Sequence, residues 1–422
     1  MYKCAHLQIK RSLYQEYIIH TERQNIMNYR ISKKMQDLKP SAIREIFKAL
    51  SDPTIISFAA GNPAPESFPV DALAKISAQI FAEEPTKALQ YSITEGYPEL
   101  RGDVTARLKS RFNINTDANM TIITSGGQQG IELLTKVMCD EGDVVIAENP
   151  SFIGALNAFR SLGCDVKGVP LCDDGGMDLD ILEATLKANP RAKILYLIPT
   201  FQNPAGTCMP LEKRKAVLAL AKKYGVIILE DNPYGELRFA GEEIPTIKSM
   251  DEDGIVVYSG SYSKVLSAGM RIGFICGPEE VVQKMVVAKQ VEDVHTNIFF
   301  QMLCHRYIAE YNIDEHIAGI RALYRRKCGL MLAELDKNMP DCVKYTRPEG
   351  GLFLWCTLPD GIDQGAFVKK AMEKKVAVVP GQAFNCDTAA PSQCFRLNYS
   401  TPSDEQIIAG VGYLCDAVKA ML

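Results

Sequence analysis

The chain has 422 residues, of which 47% are hydrophobic and 23% are charged, and its formal net charge is -4. These values are typical of a globular protein with a large core, and the length predicts two packed domains. The slightly acidic balance provides no basic surface for nucleic acid. Thirteen cysteines without a C-x-x-C pair argue against a disulfide framework and a zinc site, and favour a reduced, cytoplasmic setting.

The N-terminal segment carries charges throughout and lacks the apolar core of a signal peptide. Met27 begins a second plausible start, so residues 1–26 are interpreted as an upstream extension that adds little to the fold. Residues 1–60 together are predicted to form this extension and an arm. No run of 18 apolar residues occurs, so no membrane span is expected.

From about residue 120, short apolar runs alternate with helical stretches. Strands are predicted at 121–124, 144–147, 194–198, 226–229, 255–258 and 272–276, and helices at 129–138 and 210–224 lie between them. Runs that are apolar on both faces and separated by helices indicate an α/β fold with a largely parallel sheet, covered on both sides. This pattern predicts a large domain over residues 61–300.

After residue 300 the composition changes. Amphipathic helices are predicted over 301–338, followed by short strands in GGLFLWCTL, VAVVP and CFRLNYS, and by a last helix from residue 403. This order predicts a smaller α+β domain over residues 301–422. A basic cluster in this part, formed by Arg321, Arg325, Arg326 and Lys327, is interpreted as a solvated helix face.

Polar loops follow four of the predicted strands. They are SGGQ (125–128), TFQNP (200–204), DNPY (231–234) and SGSYSK (259–264). Because ligands bind beyond the carboxyl ends of strands in open α/β sheets, we expect these loops to converge on one crevice.

The glycines of the first loop predict an anion site. Gly126 and Gly127 open a helix, whose free amides and positive end can hold a phosphate. Ser261, Ser263 and Arg271 add hydroxyl donors and a positive charge.

Two other residues predict a place for an aromatic cofactor. Asp231 can hold a protonated ring nitrogen, and Lys264 can supply an amine for Schiff-base chemistry if burial destabilises its charge. Taken singly, each residue has an ordinary structural explanation as a turn former, a helix cap or a solvated lysine. The prediction depends on their order and their shared position at strand ends.

Six motifs follow one another along the chain: SGGQQGIELL (125–134), PTFQNPAGT (199–207), EDNPYGELRF (230–239), GSYSKVLSAGMRIGF (260–274), PEGGLFLW (348–355) and FRLNYS (395–400). Together they resemble the class I/II aminotransferases of fold type I over nearly all of residues 40–422. The chain is similar above all to the branch with 2-aminoadipate and kynurenine aminotransferases. The resemblance implies pyridoxal 5'-phosphate as cofactor, and a large domain with a mostly parallel seven-stranded sheet beside a smaller α+β domain.

The resemblance also implies roles for the residues around the cofactor ring. Lys264 is implied to carry the cofactor and to shuttle the substrate proton, while Asp231 pairs with the ring nitrogen. Asn203 and Tyr234 are implied to hydrogen-bond the phenolic oxygen of the ring. Phe152 stands where this branch usually has Tyr, and it is expected to stack on the ring without a hydroxyl.

Phosphate and substrate contacts follow in the same way. The residues implied to hold the phosphate are Gly127, Gln128, Ser261, Ser263 and Arg271. Arg396 is implied to clamp the substrate α-carboxylate, and Gly61 to line the mouth of the site by its backbone. Tyr91 is implied to reach the phosphate of the neighbouring subunit, which predicts a homodimer with shared active sites. His295 is interpreted as a structural histidine, because the lysine already moves the proton.

The predicted activity is transfer of an amino group between an L-amino acid and a 2-oxo acid such as 2-oxoglutarate. The amino acid is expected to be aromatic, branched-chain or of the 2-aminoadipate type. A lyase or decarboxylase on the same scaffold is an alternative, although Arg396 argues for a retained carboxylate. A MocR-like regulator is a further alternative, but the residues before the matched region show no helix-turn-helix pattern.

Overall fold

The computed structural model describes residues 29–36 and 52–422. The chain forms two compact units, residues 1–39 and residues 40–422. In the first unit, the described part contains one short helix, α1 (Lys33–Gln36). The predicted extension 1–26 and most of the predicted arm lie outside the described residues. The described part of the second unit begins with strand β1 (Ile56–Ser57).

A seven-stranded sheet forms the centre of the second unit. Its strands in chain order are β2 (Met120–Thr124), β3 (Val144–Asn149), β4 (Asp165–Pro170), β5 (Ala192–Leu197), β6 (Ile227–Asp231), β7 (Val256–Ser261) and β8 (Gly273–Gly277). The spatial order is β2-β8-β7-β6-β5-β3-β4, and only β8 runs antiparallel to its neighbours. The predicted α/β fold with a mostly parallel seven-stranded sheet is confirmed.

Helices cover both faces of this sheet. The helices between residues 70 and 338 are α2 (Val70–Glu83), α3 (Pro85–Leu89), α4 (Pro98–Phe112), α5 (Gly127–Met138), α6 (Ile153–Ser161), α7 (Leu179–Ala188), α8 (Leu211–Tyr224), α9 (Glu279–Glu292), α10 (Ile298–Glu310) and α11 (Ile313–Asn338). Successive strand residues enter different cores: Tyr196 and Leu229 join one, while Leu195 and Ile228 join the other. Because successive side chains point to opposite faces and both faces are buried, these strands appear in the sequence as continuous apolar runs.

Strand β4 was not located in the sequence. It lies at the edge of the sheet, and its segment DVKGVP is exposed or half-buried at every position except Val169. A strand with one free edge and little burial keeps polar residues and glycine, so the apolar signal that marks the central strands is missing.

The elements of the C-terminal part are β9 (Lys344–Tyr345), β10 (Phe353–Thr357), α12 (Gln364–Glu373), β11 (Val376–Ala377), β12 (Val379–Pro380), β13 (Cys394–Asn398) and α13 (Asp404–Lys419). Four of the strands form a sheet in the order β12-β13-β10-β9, in which every pairing is antiparallel. The predicted single strand VAVVP divides instead: β11 pairs with β1 in a separate two-stranded sheet, and β12 pairs with β13. The predicted domain boundaries at residues 60 and 300 stay predictions.

The prediction that the basic face of α11 is solvated is wrong for Lys327. This lysine is completely buried, and its Nζ donates to the carbonyl oxygens of Ser400 (3.0 Å) and Pro402 (2.9 Å). It follows the buried Tyr324 by three residues and precedes the buried Met331 by four, so helical spacing places it on the core side. Within the described residues, no helix combines the length and apolarity needed to cross a membrane.

Candidate active site

The loops that follow β2, β5, β6 and β7 meet in a cleft at the carboxyl end of the sheet, as predicted. The cleft has a volume of about 880 Å³. Twelve of the predicted site residues line it, whereas Gly126 and Tyr91 do not. The twelve are Gly61, Gly127, Gln128, Phe152, Asn203, Asp231, Tyr234, Ser261, Ser263, Lys264, Arg271 and Arg396. Ile131, Ile198, Pro233 and Phe353 also line the cleft and were not predicted.

Lys264 lies just after β7 and extends into the cleft, where its Nζ donates to the carbonyl oxygen of Gly61 at 2.7 Å. Desolvation of the amine, followed by the positive charges of Arg396 and Arg271, lowers its pKa to about 8. A lysine with this pKa has an appreciable neutral fraction near pH 7 and can act as a nucleophile.

Asp231 is the last residue of β6 and is buried. Its Oδ2 accepts a hydrogen bond from the hydroxyl of Tyr196 at 2.8 Å. Burial raises the pKa of Asp231 to about 6, although the bond from Tyr196 acts in the opposite direction. Tyr196 was missed because its hydroxyl is the one polar group in the apolar run ILYLI.

Hydrogen bonds among Asn203, Tyr234 and Arg396 link the 200–204 loop to the C-terminal sheet. Asn203 Nδ2 donates to the hydroxyl of Tyr234 at 3.1 Å, and Arg396 Nη1 donates to Asn203 Oδ1 at 2.8 Å. Arg396 Nη2 donates to the carbonyl oxygen of Ala59 at 2.9 Å. Its Nε is buried and has no hydrogen-bond partner among the described residues.

Two aromatic rings fix the plane of the Arg396 guanidinium. The Arg396 Cζ lies 4.1 Å from the ring centre of Phe353 and 4.9 Å from that of Phe384. Cation–π contacts of this kind favour the charged form without using hydrogen-bond donors. Phe384 is completely buried and was not predicted.

The turn at the start of α5 leaves backbone amides free. Gly126 is the N-cap residue at φ 81°, and no side chain caps the helix. A Cβ atom at Gly126 would lie 2.3 Å from Arg271 Nη2, so glycine is required both by the conformation and by the packing of this arginine. Free amides at a helix start beside a guanidinium form an anion site.

Arg271 has a left-handed backbone conformation with φ 56°. Its Nη2 lies 3.3 Å from the carbonyl oxygen of Ser125, and its Nη1 lies 3.5 Å from Ser263 Oγ. Ser261 Oγ accepts from the backbone amide of Ser263 at 3.1 Å. The predicted hydroxyl donors and the predicted arginine therefore surround the same turn.

The side chains of Gln128, Tyr91 and His295 make their contacts outside the group of residues described so far. Gln128 Nε2 donates to the carbonyl oxygen of Gly154 at 2.9 Å, so this side chain contacts α6. Tyr91 is 81% exposed, and its ring meets the ring of His295 edge-on at 5.9 Å. The Nδ1 of His295 lies 2.9 Å from the carbonyl oxygen of Thr296 and is satisfied locally.

Glu148 is a buried acid that the sequence did not reveal. Its Oε2 accepts from the amide of Ile198 (3.0 Å) and from Gln202 Nε2 (3.2 Å). Burial raises the pKa of Glu148 to about 7. Gln202 Oε1 in turn accepts from the amide of Ala205 at 2.8 Å, so this acid orders the loop that carries Asn203.

The cleft fits a ligand with several charged groups. Among the described residues, Lys264, Arg271 and Arg396 form no ion pair, while Asp231 supplies a buried acid. The free amides that follow Gly126 suit a phosphate, Asp231 suits a cationic ring nitrogen, and the guanidinium group of Arg396 suits a carboxylate. No cluster of ligands for a metal ion occurs among the residues that the structure describes.

Comparison with known proteins agrees with this geometry. Residues 53–414 match the family described as Aminotransferase class I and II. The chain therefore belongs to the class I and II aminotransferases, and it is an enzyme that uses pyridoxal 5'-phosphate.

Individual relatives match along almost the whole chain. An aromatic-amino-acid aminotransferase of Thermococcus litoralis is 40% identical over 92% of this chain and 94% of its own. The structure of a Pyrococcus horikoshii kynurenine aminotransferase in complex with PMP has a TM-score of 0.90 and 38% identity, covering 94% of this chain and 99% of its own.

A Thermus thermophilus α-aminoadipate aminotransferase, complexed with N-(5'-phosphopyridoxyl)-L-leucine, gives a TM-score of 0.85 and 40% identity over 93% and 97% of the two chains. These matches confirm the fold type I resemblance and favour transamination over the lyase and regulator alternatives.

Proposed function

We propose that this aminotransferase moves an amino group between an aromatic, branched-chain or 2-aminoadipate-type L-amino acid and a 2-oxo acid such as 2-oxoglutarate. The names of relatives support aromatic and 2-aminoadipate donors, and a related structure in complex with a phosphopyridoxyl-leucine adduct supports a branched-chain donor. One observation carries the proposal: Lys264, Asp231 and Arg396 line one cleft, so an amine, an acid and a guanidinium group meet there.

Around the ring, each residue has a separate task. Pyridoxal 5'-phosphate, when bound, supplies an electron-withdrawing ring that stabilises negative charge at the substrate α-carbon. Asp231 would hold the ring nitrogen in its cationic form, and Asn203 with Tyr234 would donate to the phenolic oxygen. Phe152 would pack on the ring face.

The turn at Gly127 and Gln128 would hold the phosphate through its uncapped amides. Ser261 and Ser263 would add hydroxyl donors, and Arg271 would add a positive charge beside them. Together these contacts would fix the position of the ring relative to Lys264.

Substrate contacts follow from the C-terminal sheet. Arg396 would pair with the α-carboxylate, and Gly61 would border the mouth of the cleft. Lys264 Nζ would take a proton from the substrate α-carbon, because its lowered pKa of about 8 suits proton transfer near neutral pH.

We also propose that the enzyme is a homodimer whose active sites are shared. Tyr91 lies in a separate concavity with Phe81, Leu89 and Phe299, and several of these apolar side chains are exposed. Contiguous exposed apolar residues are typical of a subunit interface. Tyr91 would cross this interface to the phosphate of the neighbouring subunit.

A panel of amino acids with 2-oxoglutarate as acceptor tests the proposal. We expect aromatic, branched-chain or 2-aminoadipate donors to shift the visible absorbance of the holoenzyme and to yield glutamate. The variant Arg396→Leu should raise KM for both the amino acid and the 2-oxo acid roughly 100-fold, the loss of one charged hydrogen-bonded pair. If no amino acid changes the absorbance, or if ammonia is released instead of glutamate, the proposal is wrong.

A further inference from the structure

A buried polar cluster lies beside the turn that starts α5. Its residues Gln129, Lys289, Asp293 and Thr296 do not line the cleft. Lys289, near the end of α9, is completely buried. Its Nζ donates to both carboxylate oxygens of Asp293 (2.8 and 2.9 Å), to Gln129 Oε1 (2.8 Å) and to Thr296 Oγ1 (2.9 Å). The ammonium group therefore has a partner for each of its three protons.

The same cluster forms hydrogen bonds with Ser125 and Gln129, the residues at the two ends of the turn. Asp293 Oδ2 accepts from Ser125 Oγ and from Gln129 Nε2, each at 2.8 Å. Gln129 Oε1 also accepts from the backbone amide of Ser125 at 2.8 Å. Partial burial raises the pKa of Asp293, but the bonds from Lys289, Gln129 and Ser125 together lower it, so this acid stays charged.

Between Ser125 and Gln129 lie Gly126, whose amide donates to the carbonyl oxygen of Thr124 at 2.8 Å, and Gly127 and Gln128, which supply the free amides of the helix start. Glycine loses more conformational freedom on ordering than any other residue, and this helix start has no side-chain cap of its own. The geometry points to Lys289 and Asp293 as positioning residues that hold the turn in its phosphate-binding conformation and thereby set the affinity for the phosphate group. This inference rests on the proposed phosphate role of the turn.

The test uses the apoenzyme and two ligands that differ only in the phosphate, pyridoxal 5'-phosphate and pyridoxal. For Lys289→Met we expect Kd for pyridoxal 5'-phosphate to rise about tenfold or more, which corresponds to roughly 1.4 kcal/mol. Kd for pyridoxal should stay within about twofold, because pyridoxal does not use the turn.

Lys248→Met is the matched control. Lys248 is equally buried and pairs with Asp251 at 2.9 Å, but it bonds to the first residue of β7, far along the strand from the cleft. This variant should lose stability while both Kd values stay unchanged. Ser125→Ala, which removes one bond to Asp293, should raise Kd for pyridoxal 5'-phosphate about threefold and gives an answer if Lys289→Met does not fold.

The inference is overturned if Ser125→Ala or Lys289→Met leaves both Kd values unchanged, or weakens the two ligands equally. Arg271→Met separates it from the proposed function. If Arg271→Met also binds like the unaltered enzyme, the phosphate site itself is misplaced. If Arg271→Met weakens only the phosphorylated ligand and Lys289→Met does not, only the positioning role fails.

Discussion

The surroundings of Lys264 in the cleft destabilise its positive charge. Its pKa falls from 10.5 to about 8, so the folded apoenzyme disfavours the protonated amine. Because only the neutral amine attacks an aldehyde, the rate at which the apoenzyme captures pyridoxal 5'-phosphate should rise with pH around a midpoint near 8. Stopped-flow absorbance at a series of pH values measures this midpoint.

Arg396 gives this pH prediction a control, because its positive charge helps to lower the pKa of Lys264. Arg396→Gln should move the midpoint above 8, while Arg396→Lys should keep it close to the original value. A midpoint at the ordinary lysine value in the unaltered enzyme would contradict the electrostatic account.

Asp231 is expected to act through its charge. Asp231→Asn keeps the shape of the side chain and the bond from Tyr196 but removes the negative charge. We therefore expect kcat to fall about 100-fold, which corresponds to the roughly 2–3 kcal/mol that a hydrogen bond to a charged group contributes. Tyr196→Phe, which removes only the supporting hydroxyl, should reduce kcat about tenfold or less. Single-turnover kinetics distinguish the two, and an unchanged kcat in Asp231→Asn would show that the ring nitrogen lies elsewhere.

At the scale of elements, one buried arginine on α8 orders the loop that carries Asn203. Arg214 donates to the carbonyl oxygens of Met209 (2.9 Å), Pro199 (2.7 Å) and Pro245 (2.9 Å). Arg214→Leu leaves these carbonyls unpaired, so the free energy of unfolding should fall by about 2–4 kcal/mol.

Urea denaturation measures this loss. The neighbouring residue Lys215 is exposed and forms a surface ion pair with Glu212, so Lys215→Ala should change stability by less than about 0.5 kcal/mol. Equal midpoints for the two variants would mean that the loop does not depend on Arg214.

The central strands and the loops after them were predictable because both faces of the sheet are buried. Continuous apolar runs mark those strands, and the first polar residues after each run mark the edge where the cleft lies. The edge strand β4 and the division of VAVVP between two sheets were not predictable. Pairing partners decide those features, and a local pattern does not contain them.

Buried polar residues explain the remaining differences. Glu148, Tyr196 and Lys327 are completely buried, and each is stabilised by hydrogen bonds with residues distant in the chain: Glu148 accepts such a bond, while Tyr196 and Lys327 donate theirs. Charge and polarity alone place Lys327 on the surface, whereas its partners at 400 and 402 place it in the core. Such partners become visible only in three dimensions.

At the scale of the whole molecule, the exposed apolar surface near Tyr91 predicts a dimer with shared sites. A mixture of Lys264→Ala with Tyr91→Ala tests this sharing, because each homodimer lacks one required group at both sites. A mixed dimer would contain one complete site, so random exchange of subunits should restore about a quarter of the original activity. Activity no greater than that of the separate variants would contradict the sharing, and a monomer in sedimentation analysis would exclude it.

The central claim is that the amine of Lys264 bonds covalently to the cofactor inside the cleft. Borohydride reduction of the holoenzyme, followed by peptide mass analysis, tests this claim most directly. We predict that the added mass of the reduced cofactor appears on the peptide that contains Lys264, and that Lys264→Ala acquires none. Label on a different lysine, or label that persists in Lys264→Ala, would contradict the account.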